Sequence, residues 1–152
     1  MGQTTITIEK VTEFSDDVAQ AIRSLAQQLG NHFSNPSDDD IVAMITSSNT
    51  HLFVAKTQEG NIVGMLTLLM HRLIYVKKGF LEEMVVDQNH RGKGIASLLM
   101  EAAITYAKEN GAKYIDLTSK PDREAGNNLY KKFGFEQRET NMYRLLLSYD
   151  ER

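Results

Sequence analysis

Residues Phe80 to Tyr106 constrain the fold of this chain more than any other stretch. Phe80-Leu81-Glu82-Glu83-Met84-Val85-Val86-Asp87 has the apolar ends of a buried strand and two carboxylates in its middle. It leads through Gln88-Asn89-His90 into the loop Arg91-Gly92-Lys93-Gly94-Ile95-Ala96. Ile95, Leu98, Leu99, Ala102, Ala103 and Tyr106 then form one apolar face of a helix at about 3.6 residues per turn. Asn110-Gly111 is expected to end that helix, because Gly accepts the left-handed closing conformation. A strand that opens into glycines and a helix start suits an anion. The first amides of a helix lack intrahelical partners, the macrodipole adds positive character, and Gly92 and Gly94 let a bulky group approach the backbone. Arg91 and Lys93 add formal charge. On the loop alone two readings stay open: a phosphate or diphosphate cradle, or a tight strand-to-helix turn.

The rest of the chain alternates between strand and helix periodicity. Thr4-Thr5-Ile6-Thr7-Ile8-Glu9 alternates as a half-buried strand does. Ser15 opens a helix whose apolar face is Val18, Ile22, Leu25, Ala26 and Leu29, with Gly30 as its stop. Asn31 to Pro36 is a loop. Ser37 caps a second helix, and Asp38, Asp39 and Asp40 suit its positive end better than they suit a metal or amine site. His51 to Ala55 is a strand, Gln58-Glu59-Gly60-Asn61 turns, and Ile62 to Met70 returns as a longer strand. Gly64 inside it marks a bulge or a close approach. Leu73 to Gly79 reads as a loop, Tyr114 to Thr118 as a buried strand, Arg123 to Phe133 as a helix stopped by Gly134, and Met142 to Leu147 as a terminal strand. This order predicts a mixed α/β fold around one twisted sheet.

Two familiar phosphate loops do not fit. The Walker loop wants Ser or Thr after Gly-Lys, and Gly94-Ile95 stands in the way; the dinucleotide fingerprint ends on Gly where this chain has Ser97. Arg91-x-x-Gly94-x-Ala96 after Val85-Val86-Asp87 resembles instead the R/Q-x-x-G-x-G/A signature of the GNAT superfamily of N-acetyltransferases. Leu129-Tyr130-Lys131-Lys132-Phe133-Gly134-Phe135 is similar to that family's L-Y-x-x-x-G-F segment, in the right order and at about the right distance. Arg138 to Arg144 resembles the R-x-T-N-x-Y-R signature of a subgroup whose acceptors are mostly unassigned.

The resemblance implies a single domain over residues 1–152. It further implies a mixed, mostly antiparallel sheet flanked by about four helices, whose central strands splay to leave an acyl-CoA slot. Acetyl-CoA is the implied cosubstrate, with its diphosphate on Arg91, Gly92, Lys93, Gly94, Ile95 and Ala96 and its pantetheine arm along Met84, Val85 and Val86. Tyr130 aligns with the tyrosine that protonates the departing thiolate, and its competing role is an aromatic anchor of its helix. Glu82 aligns with the Glu that faces the acceptor and is the candidate base; period-two alternation sends Glu83 to the other face, and a salt bridge is the competing role for both. Where the family often has Asn and, three residues on, Ala, this chain has Arg123 and Gly126, so the nearby Asn127 is the candidate contact to pantetheine. His32, Phe33 and the residues after them border the implied acceptor pocket.

The implied reaction is transfer of an acetyl group to a primary amine, of a small molecule or a peptide, in a ternary complex. The alternative is a non-catalytic acyl-CoA sensor with the same fold. With no cysteine among 152 residues, disulfides, thiolate metal sites and an acyl-cysteine route are excluded, and direct attack by the acceptor is the simplest course. Histidines 32, 51, 71 and 90 show no metal-ligand spacing. A net charge of −3 argues against nucleic acid or an anionic membrane as a partner. Neither a membrane-span pattern nor a signal-peptide pattern at Met1 to Glu13 is apparent, so a cytoplasmic location is expected. Homodimers are frequent in the superfamily, so a homodimer is compatible with the resemblance.

Overall fold

The computed structural model describes residues 5–30 and 35–148. The chain divides into two compact units, Met1–Leu117 and Thr118–Arg152.

The first unit carries β1 (Thr7–Lys10), α1 (Asp16–Leu29), α2 (Asp38–Thr46), β2 (Thr50–Lys56), β3 (Ile62–Arg72), β4 (Lys77–Val86), α3 (Ile95–Glu109) and β5 (Ala112–Leu117). Among the described residues these strands form one sheet in the order β1-β2-β3-β4-β5. The first three pairings are antiparallel; β4 and β5 are parallel, joined by the crossover that such a pair requires, here α3.

Local chemistry accounts for the helix starts. Ser15 Oγ accepts from the Val18 amide at 3.2 Å, and Ser37 and Asp40 form a reciprocal capping box. Asp38 also pairs with Arg23 of α1. The acidic triplet therefore serves the start of α2. Val18, Ala19, Ile22 and Leu25 of α1 and Ile41 of α2 pack on Leu52, Val54, Met65 and Val85 of the sheet.

Helix α3 covers the opposite face. A Cβ on Gly64 would lie 3.2 Å from Leu99 Cδ1 and 3.3 Å from Ile95 Cγ2, so this glycine admits the helix to the backbone of β3. It also adjoins a bulge, since Ala55 pairs with Gly64 but Lys56 pairs with Ile62. The buried stripe of α3 is Ile95, Leu99, Met100, Ala103 and Ala107. Leu98, expected on the apolar face, is exposed, while Met100 is fully buried. The stripe is rotated because α3 meets the sheet at Gly64, a position that spacing within the helix does not reveal.

Two further expectations are corrected. β4 starts at Lys77 rather than after Gly79, since Leu73 N–H donates to the Val76 carbonyl at 2.8 Å and closes a tight hairpin. The polar residues at this end, Arg72 with Lys77 and His71 with Lys78, pair across it and hide the alternation.

In the second unit, α4 (Glu124–Lys132) follows the turn after Lys120. The expected strand at Met142 to Leu147 is not formed; the segment has no regular structure, and Tyr143 and Leu147 are 87% and 89% exposed. An apolar run shows that a segment can make a strand, but a strand also needs a partner edge, and that is not local information.

Candidate active site

β4 is irregular where its two carboxylates lie. Thr67 pairs with Glu82 and Met65 pairs with Val85, so Glu83 and Met84 both stand opposite Leu66. This is a bulge. Glu83 has φ 56°, the one positive φ on a non-glycine residue among the described residues. The buried Thr67 hydroxyl donates to Glu83 Oε1 at 3.1 Å. Thr67 shares its face with Glu82, its register partner, so the bulge brings Glu83 to the same side. The expectation of opposite faces fails because simple alternation does not survive an inserted residue.

Past the bulge β4 continues without a ladder partner on one edge among the described residues. Its pairing with β5 ends at Leu81 and Leu117, while the strand runs on to Val86. Val85 is buried in the core, and Met84 and Val86 are half-buried. The Val86 carbonyl accepts from Arg91 Nε at 3.1 Å.

After β4 the chain makes a 3₁₀ turn, Gln88–His90, capped by Asp87. Asp87 Oδ2 accepts from the Asn89 amide at 3.3 Å and pairs with His90 Nδ1 at 2.9 Å. Asp87 Oδ1 accepts from Gln28 Nε2 of α1 at 2.9 Å. These bonds, that from Gln28 first and that from His90 next, hold the Asp87 carboxyl below the ordinary carboxylate range.

The loop then turns on Gly92 (φ 79°) and Gly94 (φ 80°). Gly94 is the N-cap of α3 and has no side chain to offer the first turn, unlike Ser15 and Ser37. A Cβ on either glycine would meet nothing within 4 Å, so the space beside each Cα is open. Arg91, Lys93 and Gly94 are exposed, Ala96 is half-buried, and Ile95 anchors the helix start beside Gly64. One segment thus brings together Glu82, the end of β4 and the loop from Arg91 to Ala96.

Tyr130 and Asn127 lie on α4, in the second unit. The helix ends in a Schellman motif: Phe135 N–H donates to the Tyr130 carbonyl at 3.0 Å and Gly134 N–H to the Lys131 carbonyl at 3.0 Å. Gly134 has φ 96°, and the Tyr130 and Phe135 rings meet edge-on at 6.2 Å. The spacing of Tyr130, Gly134 and Phe135 therefore has a structural cause: tyrosine and phenylalanine supply the apolar contact across the cap. Burial raises the Tyr130 pKa above its ordinary 10.0, and Arg123 opposes the rise. Gly126 lies alongside; its Cβ would be 3.7 Å from the phenol oxygen. Asn127 Nδ2 donates to the Lys120 carbonyl at 3.0 Å.

His32 and Phe33 lie outside the described residues. Among the described residues no three His, Asp or Glu side chains gather as a metal site. Among them, too, no helix is long and apolar enough to cross a membrane. Sequence reasoning missed Thr67 and Gln28. The cost of placing carboxylates in an apolar strand signals that Glu83 needs a donor; nothing local points to Gln28, whose partner is 59 residues away.

Known proteins match this architecture. An N-acetyltransferase of Methanocaldococcus jannaschii is 36% identical over 59 residues, 39% of this chain and 26% of that protein. The chain thus matches about a quarter of that relative's length. A solved Trypanosoma brucei acetyltransferase superposes with TM-score 0.76 at 22% identity, over 93% of this chain and 100% of that one. An aminoglycoside N-acetyltransferase, AAC(6')-Iy, solved in complex with CoA, superposes with TM-score 0.77 at 18% identity, over 97% and 98%. The model described as the acetyltransferase (GNAT) family matches residues 18–135, so the chain belongs to that family.

Proposed function

We propose that this protein is an acetyl-CoA-dependent N-acetyltransferase that acts on a primary amine by direct transfer, and that residues 1–152 form one catalytic domain. The observation that carries the reading is the start of α3, where a left-handed glycine replaces a capping side chain beside open space. Amides there, from Gly92 to Ala96, hold a diphosphate against the positive end of a fifteen-residue helix. Arg91 and Lys93 supply charge. The edge of β4 at Met84, Val85 and Val86, beyond the end of the β5 ladder, suits a peptide-like arm, and Asn127 adds a contact through its carbonyl oxygen.

Glu82 takes a proton from the incoming ammonium through water. Tyr130, kept protonated by burial, gives its proton to the departing thiolate. CoA-bound AAC(6')-Iy supports the cosubstrate, since its fold is shared along nearly the whole of both chains.

The test is calorimetric titration with acetyl-CoA, followed by thiol release across a panel of small amines and peptides. Saturable binding plus release with at least one amine is the expected result. Tight binding with no turnover on any amine or peptide would leave a sensor as the better reading, and a covalent acetyl-protein on the path to product would rule out direct transfer.

A further inference from the structure

We infer that Gln28 is a positioning residue for the phosphate loop, a clamp that sets where the amides at the start of α3 stand. The inference rests on the reading that the loop binds the diphosphate of acetyl-CoA.

Gln28 lies in the last turn of α1 and uses both ends of its amide on one target. Its Nε2 donates to Asp87 Oδ1 at 2.9 Å, and its Oε1 accepts from the Gln88 amide at 3.0 Å. Both bonds cross about sixty residues of sequence, so the loop is fastened to a separate helix. Asp87 passes the constraint on. Its backbone N–H continues the sheet ladder to the Val63 carbonyl at 2.8 Å, its own carbonyl takes the His90 N–H at 2.8 Å, and its second carboxylate oxygen holds His90 Nδ1. Arg91 follows and bonds back to Val86. Each residue from Val86 to Arg91 thus makes at least one hydrogen bond before the chain reaches Gly92.

Two left-handed glycines come next, which by themselves leave the backbone loose. An anion site made of amides works only if the amides already converge, since ordering them on binding costs affinity. Gln28 and Ile95 fix the two sides of that glycine turn, one through α1 and one through the core. No single neighbour replaces Gln28, because its donor meets a carboxylate and its acceptor meets an amide. Leucine or methionine would fill the space and satisfy neither.

Acetyl-CoA KM and kcat are measured for wild type, Gln28→Met, Gly94→Asp and Gln20→Met, the last an exposed position on the same helix. Loss of one charge-assisted and one neutral hydrogen bond that serve the loop should raise KM about five- to tenfold in Gln28→Met and leave kcat within about twofold. Gln20→Met should match wild type. An unchanged KM in Gln28→Met, or a fall in kcat alone, overturns the inference. Gly94→Asp tests the underlying reading, because a carboxylate tolerates the left-handed position yet repels a diphosphate. If Gly94→Asp binds acetyl-CoA as wild type does, the cofactor reading falls and the inference falls with it.

Gln28→Glu keeps the question open to measurement should Gln28→Met not fold. Glutamate keeps an acceptor for the Gln88 amide, but as an anion it faces Asp87, with His90 beyond. Repulsion raises its pKa, and once protonated it can donate to Asp87 as the amide does. The ratio of variant to wild-type affinity for CoA should be about tenfold or more against the variant at pH 8 and shrink toward pH 5. A constant ratio overturns the inference.

Discussion

Gly64→Ala tests how the core positions the start of α3. The added Cβ meets Leu99 Cδ1 at 3.2 Å, Ile95 Cγ2 at 3.3 Å and Ala55 Cβ at 3.5 Å. Leu99 is fully buried and Ile95 is 2% exposed, so neither branched tip has water to retreat into. Two effects oppose each other. Alanine restricts the unfolded chain more than glycine does, a gain of about 0.4–1 kcal/mol. Forcing a methyl into a close-packed interior costs about 1–3 kcal/mol, because neighbours leave their rotamer wells or the helix lifts. The cost should win by about 1 kcal/mol, which lowers Tm by about 2–4 °C in a chain of this size. Ile95 is the first residue of α3, so a shift of a few tenths of an ångström at Gly64 is also a shift of the amides before it. CoA affinity should fall by about three- to tenfold. Thermal denaturation with and without CoA, together with calorimetric titration, measures both. A Tm at or above wild type with unchanged affinity would show that Leu99 and Ile95 relax freely and would refute the reasoning.

Tyr130→Phe keeps the ring against Phe135 and so the helix cap. It should leave Tm nearly unchanged and lower kcat by about a hundredfold or more, as steady-state kinetics would show. Because burial raises the Tyr130 pKa, the half-point of any alkaline loss from this group should lie above pH 10, its ordinary value. His51 is 8% exposed, its Nδ1 is buried without a partner among the described residues, and burial, with Lys10 adding to it, lowers its pKa. A base with a lowered folded pKa contributes stability that is complete above its unfolded value of 6.5 and lost as pH falls below it. Denaturant melts of His51→Leu should therefore lack the acid-side loss that wild type shows below about pH 6.5, with stability at neutral pH unchanged or raised by up to about 1 kcal/mol. Asp87 has the usual carboxylate sign: its lowered pKa stabilises the fold above the unfolded value of 3.8, and this contribution is lost as pH falls through the folded pKa. Asp87→Asn should flatten that acid limb in circular-dichroism melts and leave the neutral-pH baseline shape intact.

The sequence by itself determined most of the elements and the glycine turn before α3. Ser15 and Ser37 set two helix starts through their own hydroxyls, Gly30 and Gly134 marked helix stops, and Gly92 and Gly94 announced a backbone opening. All these effects act over a turn or two, within reach of local pattern. Gly134 was legible for the same reason, since the left-handed residue of a Schellman cap favours glycine, whereas Tyr130 and Phe135 stood out only through the resemblance. Tertiary structure decided what depends on partners distant along the chain. Leu98 and Met100 exchanged places because α3 settles where Gly64 lets it close on β3. Glu83 turned to the Thr67 side because a bulge, fixed by pairing with β3, broke the alternation. Met142 to Leu147 read as a terminal strand and formed none, since the hydrogen-bonding edge a strand needs lies outside its own residues. Gln28 reached Asp87 across 59 residues, and only the packing of α1 on the sheet could bring an ordinary surface glutamine to the threshold of the glycine turn before α3.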